Sequence, residues 1–282
     1  MKQNEEIKQV SDLSSLQMLG QGNTAEIYTY ENNRILKLFR NGMPLPPIQS
    51  EYRMARIIQC SLDFVPKAYE LVRYNERYGI IYEQIKGTDL LEIMLRHPFQ
   101  LDRYARKLAQ IHADMHQTEI NVQYSVKEKL TRDIDGSEDL TAEEKSKIKL
   151  YMEQLPEGSR ICHFDYHPGN IMMRDGEPVV IDWMTACTGD AAADTARTCI
   201  LLQFGELMHA SPVMRFVMHF VERRIGTVYE KEYRTITGMT QAEIEQWKLP
   251  VAAARLSEWL TEHERQKLQK YIREKLRIIA AA

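Results

Sequence analysis

The sequence predicts an α+β fold in two parts: a small strand-rich amino-terminal lobe with one helix, and a larger, mostly helical carboxy-terminal lobe. Three observations predict it. Short β-prone runs separated by turn-forming residues fill roughly the first 80 positions. The composition changes at Lys86-Gly87-Thr88, and beyond this point apolar residues recur mostly at helical spacing. We therefore expect a nucleotide-binding lobe at residues 1–85 and a catalytic and substrate-binding lobe at residues 86–282.

Strands and one helix are predicted in the first lobe. The β-prone runs Glu26–Tyr30 and Arg34–Phe39 flank the turn-forming residues Glu31-Asn32-Asn33. A proline-rich break at residues 44–47 follows, and apolar residues at helical spacing then predict a helix over residues 48–58. Strand-like patterning returns up to Ile85, so this lobe is expected to be built mainly on a sheet.

The second lobe is predicted to be helical, with one strand-rich interruption. Helical periodicity runs through residues 90–99, 101–116 and 140–155, and resumes after Asp194. Between these helices, Asn170–Met173 and Val179–Asp182 are β-prone and flank a turn at residues 174–177. This interruption therefore predicts a β-hairpin.

Composition excludes several classes of protein. With 282 residues, 44% hydrophobic and 27% charged, the chain has the composition of a globular protein. Its net charge of −3 gives no support for nucleic-acid binding, and no nucleic-acid partner is expected. No apolar run approaches the ~20 residues of a membrane span, and the amino-terminal residues lack signal-peptide features, so a cytoplasmic location is expected. The four cysteines form no CxxC pair and are expected to be buried thiols. The oligomeric state is not predicted.

A glycine loop and a lysine in the first lobe indicate phosphate binding. Gly20 and Gly22 open a GxGxxA pattern followed by strand-like residues, as expected for a loop between two strands that covers phosphates; an ordinary hairpin turn is the alternative. Lys37 is a lone charge in an apolar strand, and Glu51 on the next helix is its candidate partner. The alternative is a lysine that reaches solvent from the strand edge. A lysine–glutamate pair beside a glycine loop is how kinases hold ATP phosphates.

The segment ICHFDYHPGNIMM at residues 161–173 contains the candidate catalytic residues. Asp165 and Asn170 lie five residues apart, and Asp182 follows the next β-prone run. A kinase has this order: an aspartate that accepts the proton of the attacking hydroxyl, then an asparagine and an aspartate that bind Mg²⁺. His163 is expected to pack under the loop, and His167 to brace the neighbourhood of Asp165. Asp190 and Asp194 are expected to cap the following helix, with substrate binding as the alternative.

These motifs resemble the aminoglycoside phosphotransferase family. HFDYHPGNIMM and the later VVIDWMTACTGDAAADTAR are similar to the catalytic segment of these small-molecule kinases, which include choline, homoserine and methylthioribose kinases. The resemblance runs from Gly20 to about Arg197. It departs from the family pattern at Ala25, in place of a third glycine, and at Ala191, where proline is common.

The resemblance implies a bilobal, protein-kinase-like fold with a small antiparallel sheet, and an enzyme that uses ATP and Mg²⁺. It makes Asp165 the catalytic base and Asn170 and Asp182 the magnesium ligands. Lys37 would hold the phosphates, oriented by Glu51. The segment from Tyr82 to Ile85 would line the adenine pocket through the backbone of Glu83 and Ile85.

Other functions remain as alternatives. His112 and His116 lie four residues apart on a predicted helix and could bind zinc, although a core or capping histidine is the preferred interpretation of His112. A catalytically silent pseudokinase would be expected to have lost a catalytic residue, and none is lost. A protein kinase would need a long activation segment, but only seven residues separate Asp182 from Asp190.

The acceptor is predicted only as a class: a hydroxyl of a small molecule such as an aminoglycoside, a sugar or an amino alcohol. Aminoglycosides are polycations and favour an acidic site. Residues 188–282 contain 14 Lys/Arg and 12 Asp/Glu, and residues 119–158 contain 6 Lys/Arg and 10 Asp/Glu. This balance makes a hydroxylated metabolite at least as good a candidate as an antibiotic.

Overall fold

The computed structural model describes residues 7–10, 12–22, 24–120, 124–205 and 212–281. The strands are β1 (Lys8–Gln9), β2 (Met18–Gln21), β3 (Ala25–Tyr30), β4 (Arg34–Phe39), β5 (Ala68–Tyr74), β6 (Arg77–Glu83), β7 (Thr88–Asp89), β8 (Arg160–Cys162), β9 (Ile171–Arg174), β10 (Glu177–Val180) and β11 (Cys187–Gly189). The helices are α1 (Leu45–Ile58), α2 (Leu90–Arg96), α3 (Leu101–Met115), α4 (Val126–Gly136), α5 (Ala142–Glu153), α6 (Ala191–Phe204), α7 (Pro212–Thr237), α8 (Gln241–Arg255) and α9 (Glu262–Ala281). The predicted α+β class, with its sheet before its helices, is confirmed.

The chain divides into two compact units. The strand-rich unit contains Met1–Asp89 and Asn170–Met184, and the helical unit contains Leu90–Gly169 and Thr185–Ala282. The hairpin of β9 and β10 therefore groups with the amino-terminal strands. The assignment of nucleotide binding to residues 1–85, and of catalysis to residues 86–282, stays a prediction.

A six-stranded sheet forms the strand-rich unit. Its order is β1-β5-β6-β4-β3-β2, antiparallel throughout except that β1 runs parallel to β5. The turn predicted at residues 31–33, and a second turn at Asn75, connect neighbouring strands. They contain Asn32, Asn33 and Asn75 with φ of 57°, 57° and 52°, a left-handed conformation that asparagine tolerates better than most residues.

Helix α1 covers one face of this sheet. It begins at Leu45, and the prolines at 46 and 47 stand in its first turn, where a missing N–H breaks no helical hydrogen bond. The predicted break therefore ends at Pro44, and the helix begins at Leu45, three residues before its predicted start. One core cluster joins Ile48 of this helix to Phe39 and Ile80 of the sheet. Leu36 and Leu38 pack on the opposite face of the sheet.

The helical unit is built around α6. Helix α6 packs on α7 and α8, α3 packs on α7, and α4 packs on α8. Strands β8 and β11 pair antiparallel, with Cys162 opposite Cys187. Strand β8 ends directly before His163, so the pairing of β8 with β11 fixes the position at which the predicted catalytic loop begins. No described helix combines the length and apolar character needed to cross a membrane.

Two sequence-based expectations about these segments need correction. The strand predicted to end at Asp182 ends at Val180, because Asp182 has a left-handed φ of 62° that an extended strand does not allow. Cys162, Cys187 and Cys199 are buried as expected, whereas Cys60 is exposed just after α1.

Candidate active site

Lys37 is held between two carboxylates of the strand-rich unit. Side chains alternate along a strand, so Lys37 points to the face opposite Leu36 and Leu38, the face that α1 covers. Its ammonium lies 2.8 Å from Glu51 Oε1 and 3.2 Å from Asp182 Oδ1. Glu51 lies on the buried stripe of α1, one turn after Ile48. The structure thus brings together three residues that are distant in sequence.

The hydroxyl of Tyr82 completes this group. It donates to Glu51 Oε1 at 3.1 Å, so one carboxylate oxygen accepts from both Tyr82 and Lys37. The other oxygen, Glu51 Oε2, is buried and has no hydrogen-bond partner among the described residues. Because a buried charged oxygen without a partner is costly, this atom is suited to a further donor.

The environment sets the charge state of these groups. Burial opposes the charged form of Lys37, but the negative charges of Glu51 and Asp182 outweigh it and raise the pKa of the lysine. Burial, followed by the charge of Glu51, raises the pKa of Tyr82 well above its usual value. Lys37 is therefore a permanent cation, and Tyr82 a permanent hydrogen-bond donor, at neutral pH.

Asn170 and Asp182 flank the open end of a β-hairpin. Strands β9 and β10 pair with Ile171 opposite Val180, and the Ile181 N–H donates to the Asn170 carbonyl at 2.9 Å. The hairpin therefore brings the two predicted metal ligands to the same end. The φ of 62° at Asp182 is the kind of backbone strain that clusters at functional sites. Amide and carboxylate oxygens are the ligands that Mg²⁺ prefers.

The glycine pattern lies in the hairpin formed by β2 and β3. The Gly22 N–H donates to the Ala25 carbonyl at 2.8 Å, and Asn23, between them, lies outside the described residues. No described atom lies within 4 Å of the position that a Cβ would take on Gly20. The backbone at Gly20 is therefore open to the approach of another group, as both the phosphate-binding and the simple-turn interpretations allow.

The segment after β6 offers a backbone donor at Ile85. The Glu83 N–H donates to the Lys67 carbonyl and the Gln84 N–H to the Asn33 carbonyl, whereas the Ile85 N–H has no acceptor among the described residues. The Glu83 side chain accepts from Arg174 at 2.7 Å. Strand β9 thus holds the side chain of Glu83, and the Ile85 N–H can serve a ligand.

Asp165 belongs to the helical unit and stands on a tightly held loop. Its N–H donates to His163 Nδ1 at 3.2 Å, and its side chain is one-third exposed. The carbonyls around it are also held: Thr185 Oγ1 donates to the His163 carbonyl and Arg197 Nε to the Phe164 carbonyl. Asp165 therefore has a fixed backbone and a carboxylate accessible to solvent.

Two expectations about the neighbouring histidines are confirmed in part. His163 is fully buried and accepts from the backbone, as predicted. His167 Nε2 lies 3.9 Å from Asp165 Oδ2, close but beyond hydrogen-bond distance, and His167 Nδ1 accepts from the Gly169 N–H at 3.1 Å. His167 therefore shapes the loop more directly than it contacts the carboxylate.

The two aspartates before and within α6 have different roles. Asp190 caps α6 by accepting from the Ala192 N–H at 2.9 Å, as predicted. The same prediction for Asp194 is wrong. Asp194 lies in the first turn of α6 with its carboxylate turned into the protein, where it accepts from the N–H groups of His163 at 2.6 Å and Phe164 at 2.9 Å.

The sequence prediction missed several of these groups. It named Tyr82 only as a lining residue, and it did not single out Arg174 or Arg197, whose partners are far away along the chain. No spacing rule links Tyr82 to Glu51, because the contact depends on a sheet packing against a helix. The predicted residues Gly20, Gly22, Lys37, Glu51, Glu83, Ile85, Asn170 and Asp182 all lie in the strand-rich unit.

Similar folds occur in several solved structures. A gentamicin complex of the aminoglycoside phosphotransferase APH(2'')-IIa is 16% identical, with a TM-score of 0.58 over 93% of this chain and 91% of that chain. APH(3'')-Id from Streptomyces rimosus with ADP and streptomycin is 14% identical, with a TM-score of 0.57 over 86% and 92%. A putative fructosamine-3-kinase from Haemophilus somnus is 15% identical, with a TM-score of 0.56 over 91% and 90%. At these identities the likeness shows the kinase-like fold alone.

Sequence comparison is more specific than the fold. No curated protein sequence matches the chain. The model of the phosphotransferase enzyme family (APH) matches residues 19–220, a span that includes every predicted site residue. The resemblance found in the catalytic segment is thereby confirmed, and the chain belongs to the phosphotransferase enzyme family.

Proposed function

We propose that this protein is an ATP- and Mg²⁺-dependent phosphotransferase that moves the γ-phosphoryl group of ATP to a hydroxyl of a small molecule. The observation that carries the proposal is the placement of the Lys37 ammonium 2.8 Å from Glu51 and 3.2 Å from Asp182. A lysine oriented by a helix glutamate beside a metal-binding aspartate is the arrangement with which kinases hold nucleotide phosphates.

The phosphate side of the nucleotide would be bound by residues of the strand-rich unit. Lys37 would contact the phosphates, and the hairpin that contains Gly20 and Gly22, with its open backbone at Gly20, would cover them. Asn170 and Asp182 would hold Mg²⁺, since both supply hard oxygen ligands from one end of a hairpin. When bound, the ion would neutralise negative charge on the transferring phosphoryl group.

The adenine would be bound by the segment after β6. The Ile85 N–H, which has no acceptor among the described residues, would donate to a ring nitrogen, and the Glu83 carbonyl would accept from the exocyclic amine. The Arg174 guanidinium holds the Glu83 side chain at 2.7 Å and would keep this segment in place.

Asp165 would act as the general base. Its carboxylate would take the proton of the acceptor hydroxyl while the acceptor oxygen bonds to the γ-phosphorus and ADP leaves with the bridging oxygen. The hydrogen bonds from Thr185 and Arg197 to the loop carbonyls support this role, because they fix the backbone next to Asp165. A general base must be held at the right position to accept a proton efficiently.

The charges near the Asp165 loop favour a hydroxylated acceptor over a polycation. Glu258 is paired with Arg197 and Arg255, and Asp133 with Lys129. An aminoglycoside would have to compete with these basic groups for the carboxylates. A sugar or amino alcohol would not, so we place it ahead of an aminoglycoside-like antibiotic. The reaction is expected in the cytoplasm, without nucleic-acid or membrane partners.

Substitution of the proposed base tests the function. Asp165→Asn should lower turnover about 10²-fold or more while Mg·ATP binding persists, since the amide cannot accept the proton. Asp175→Asn is the matched control: Asp175 lies in the turn between β9 and β10 with a φ of 53°, which asparagine also tolerates. ADP release would be measured across aminoglycosides, macrolides, choline, homoserine, sugars and nucleosides.

The outcomes separate the proposal from its alternative. Full turnover in Asp165→Asn would exclude Asp165 as the base. If the unmodified protein bound Mg·ATP but released no ADP with any acceptor, a catalytically silent nucleotide-binding module would replace the enzyme as the better interpretation.

A further inference from the structure

A fully buried cluster of polar side chains lies behind the Asp165 loop. It consists of Asp194 on α6, His112 and His116 on α3, and Tyr229 and Tyr233 on α7, which we call the buried histidine cluster. All five side chains are at most 5% exposed. Polar groups in such a position are expensive unless each has a partner, so the pattern of their hydrogen bonds shows what the cluster can do.

Both histidines join the carboxylate to a tyrosine. The Nε2 atoms of His112 and His116 lie 3.1 and 3.2 Å from Asp194 Oδ2. Their Nδ1 atoms lie 2.5 Å from the Tyr229 hydroxyl and 2.6 Å from the Tyr233 hydroxyl. A carboxylate can only accept, so each Nε2 carries the proton and each Nδ1 accepts from its tyrosine.

With this assignment every polar atom of the cluster is satisfied. Asp194 receives four donors, two from imidazoles and two from the N–H groups of His163 and Phe164. Burial, followed by the neighbouring His116, lowers the pKa of His112 to about 3, which keeps it neutral. Burial alone would raise the pKa of Asp194, but its interactions with His112 and His116 lower it.

Zinc binding is the competing explanation. Potential ligand atoms of His112, His116 and Asp194 lie within 4.8 Å of one another. An ion would need the Nε2 lone pairs, and both imidazoles would then lose their donor bonds to Asp194. Each polar atom of the cluster already has a hydrogen-bond partner without an ion, and the three side chains have almost no solvent exposure. A hydrogen-bonding role is therefore the better interpretation.

The cluster acts on the two residues directly before Asp165. Asp194 fixes the N–H groups of His163 and Phe164, and Phe164 has a left-handed φ of 63°. Such a conformation is unfavourable for a residue with a Cβ atom and persists only where the surroundings impose it. A carboxylate that accepts from both adjacent N–H groups provides such a constraint.

We propose that His112 and His116 are positioning residues for the phosphoryl-transfer step: through their Nε2–H groups they orient Asp194, which holds the backbone that presents Asp165. This inference rests on the proposed function for the role of Asp165, but the geometry of the loop can be tested apart from it. Tyr229 and Tyr233 contribute by donating to Nδ1 and so fixing the tautomer of each histidine.

A pair of substitutions at His112 separates positioning from packing. Glutamine can place an amide N–H near the former Nε2 and so keep the bond to Asp194. Asparagine is shorter by one methylene, so its amide reaches only the former position of Nδ1. It can keep the contact with Tyr229 but loses the bond to Asp194. Both residues are neutral and polar, but asparagine also leaves a small void at this buried site. A role in packing alone therefore predicts only a loss of global stability in His112→Asn, whereas positioning predicts an additional local rise in exchange at the loop.

Two readouts are needed. Hydrogen exchange of the peptide spanning residues 160–169 measures how often the loop backbone opens, whether or not the protein has activity. We expect exchange to rise about 10-fold in His112→Asn and to return most of the way to wild type in His112→Gln. Steady-state kinetics should show kcat falling about 10-fold or more in His112→Asn, with KM for ATP within about twofold of wild type.

Several outcomes would overturn the inference. Equal hydrogen exchange in His112→Gln and His112→Asn would show that His112 contributes only packing. A change in KM for ATP without a change in kcat would show that His112 affects nucleotide binding and not the positioning of Asp165. One equivalent of zinc in the purified protein would make the cluster a metal site. If His112→Asn fails to fold, Tyr229→Phe removes only the donor to Nδ1 and should change exchange in the same direction; no change would refute the proposal. A protein without turnover but with the expected exchange pattern would contradict the proposed function alone.

Discussion

Acidification should destabilise the protein through His112. The folded state holds this side chain neutral, with a pKa lowered from 6.5 to about 3 by burial and by His116. In the unfolded chain the same imidazole takes up a proton below about pH 6.5. Between these values the unfolded state binds more protons, so the free energy of unfolding falls as the pH falls.

The size of the effect follows from the pKa difference. From about pH 7.5 to about pH 5, protonation of one unfolded histidine lowers the free energy of unfolding by roughly 2 kcal/mol. The loss would continue toward about pH 3, where the folded imidazole also becomes protonated. Full burial of His112 means that solvent screening does not reduce this figure.

Urea unfolding at both pH values measures the effect. Glutamine does not titrate, so His112→Gln should lose roughly 2 kcal/mol less than wild type on acidification. His97→Gln serves as the control, because His97 is exposed between α2 and α3. Equal pH dependence in His112→Gln and wild type would show that His112 is not kept neutral by the fold, and the hydrogen-bond assignment of the cluster would then be wrong.

Three further substitutions test the strand-rich unit. Tyr82→Phe removes the donor to Glu51. Since a hydrogen bond to a charged group is worth about 1.5–3 kcal/mol, kcat/KM for ATP should fall about 10-fold. An unchanged kcat/KM would show that the Tyr82 hydroxyl has no part in ATP use. Asp182→Ala should weaken Mg·ATP at least about 10-fold in a calorimetric titration, and unchanged magnesium dependence would contradict its role as a ligand. Gly87→Ala would place a Cβ 2.2 Å from the Met173 carbonyl and should cost about 1–3 kcal/mol in urea unfolding. Gly136→Ala, where no described atom is within 4 Å, is its control, and equal stability of the two variants would refute the clash.

The sequence was sufficient for features that depend on local chemistry. Alternating β-prone runs and asparagine turns predicted the hairpin of β3 and β4, since Asn32 and Asn33 suit a left-handed turn. The partnership of Lys37 and Glu51 could also be predicted, because a lone lysine in an apolar strand requires an anion and the next helix offers one.

Features that depend on packing between distant elements could not be predicted. Asp194 was expected to cap α6 because aspartate is common at helix starts, but its carboxylate turns inward to the loop at His163 and Phe164. The tyrosines that bind His112 and His116 come from a helix more than 100 residues later, and no spacing in the sequence indicates which tyrosines they are.

The grouping of residues 170–184 with the amino-terminal strands has a consequence for dividing the protein into parts. The chain passes from one compact unit to the other three times, after residues 89, 169 and 184. A single cut therefore cannot separate the units. A fragment ending at Asp89 would lack β9, the strand that pairs with β7, as well as Asn170 and Asp182. Exchange of lobes between family members must transfer both segments together, so the two units can be recombined only as interleaved pieces and not as successive domains.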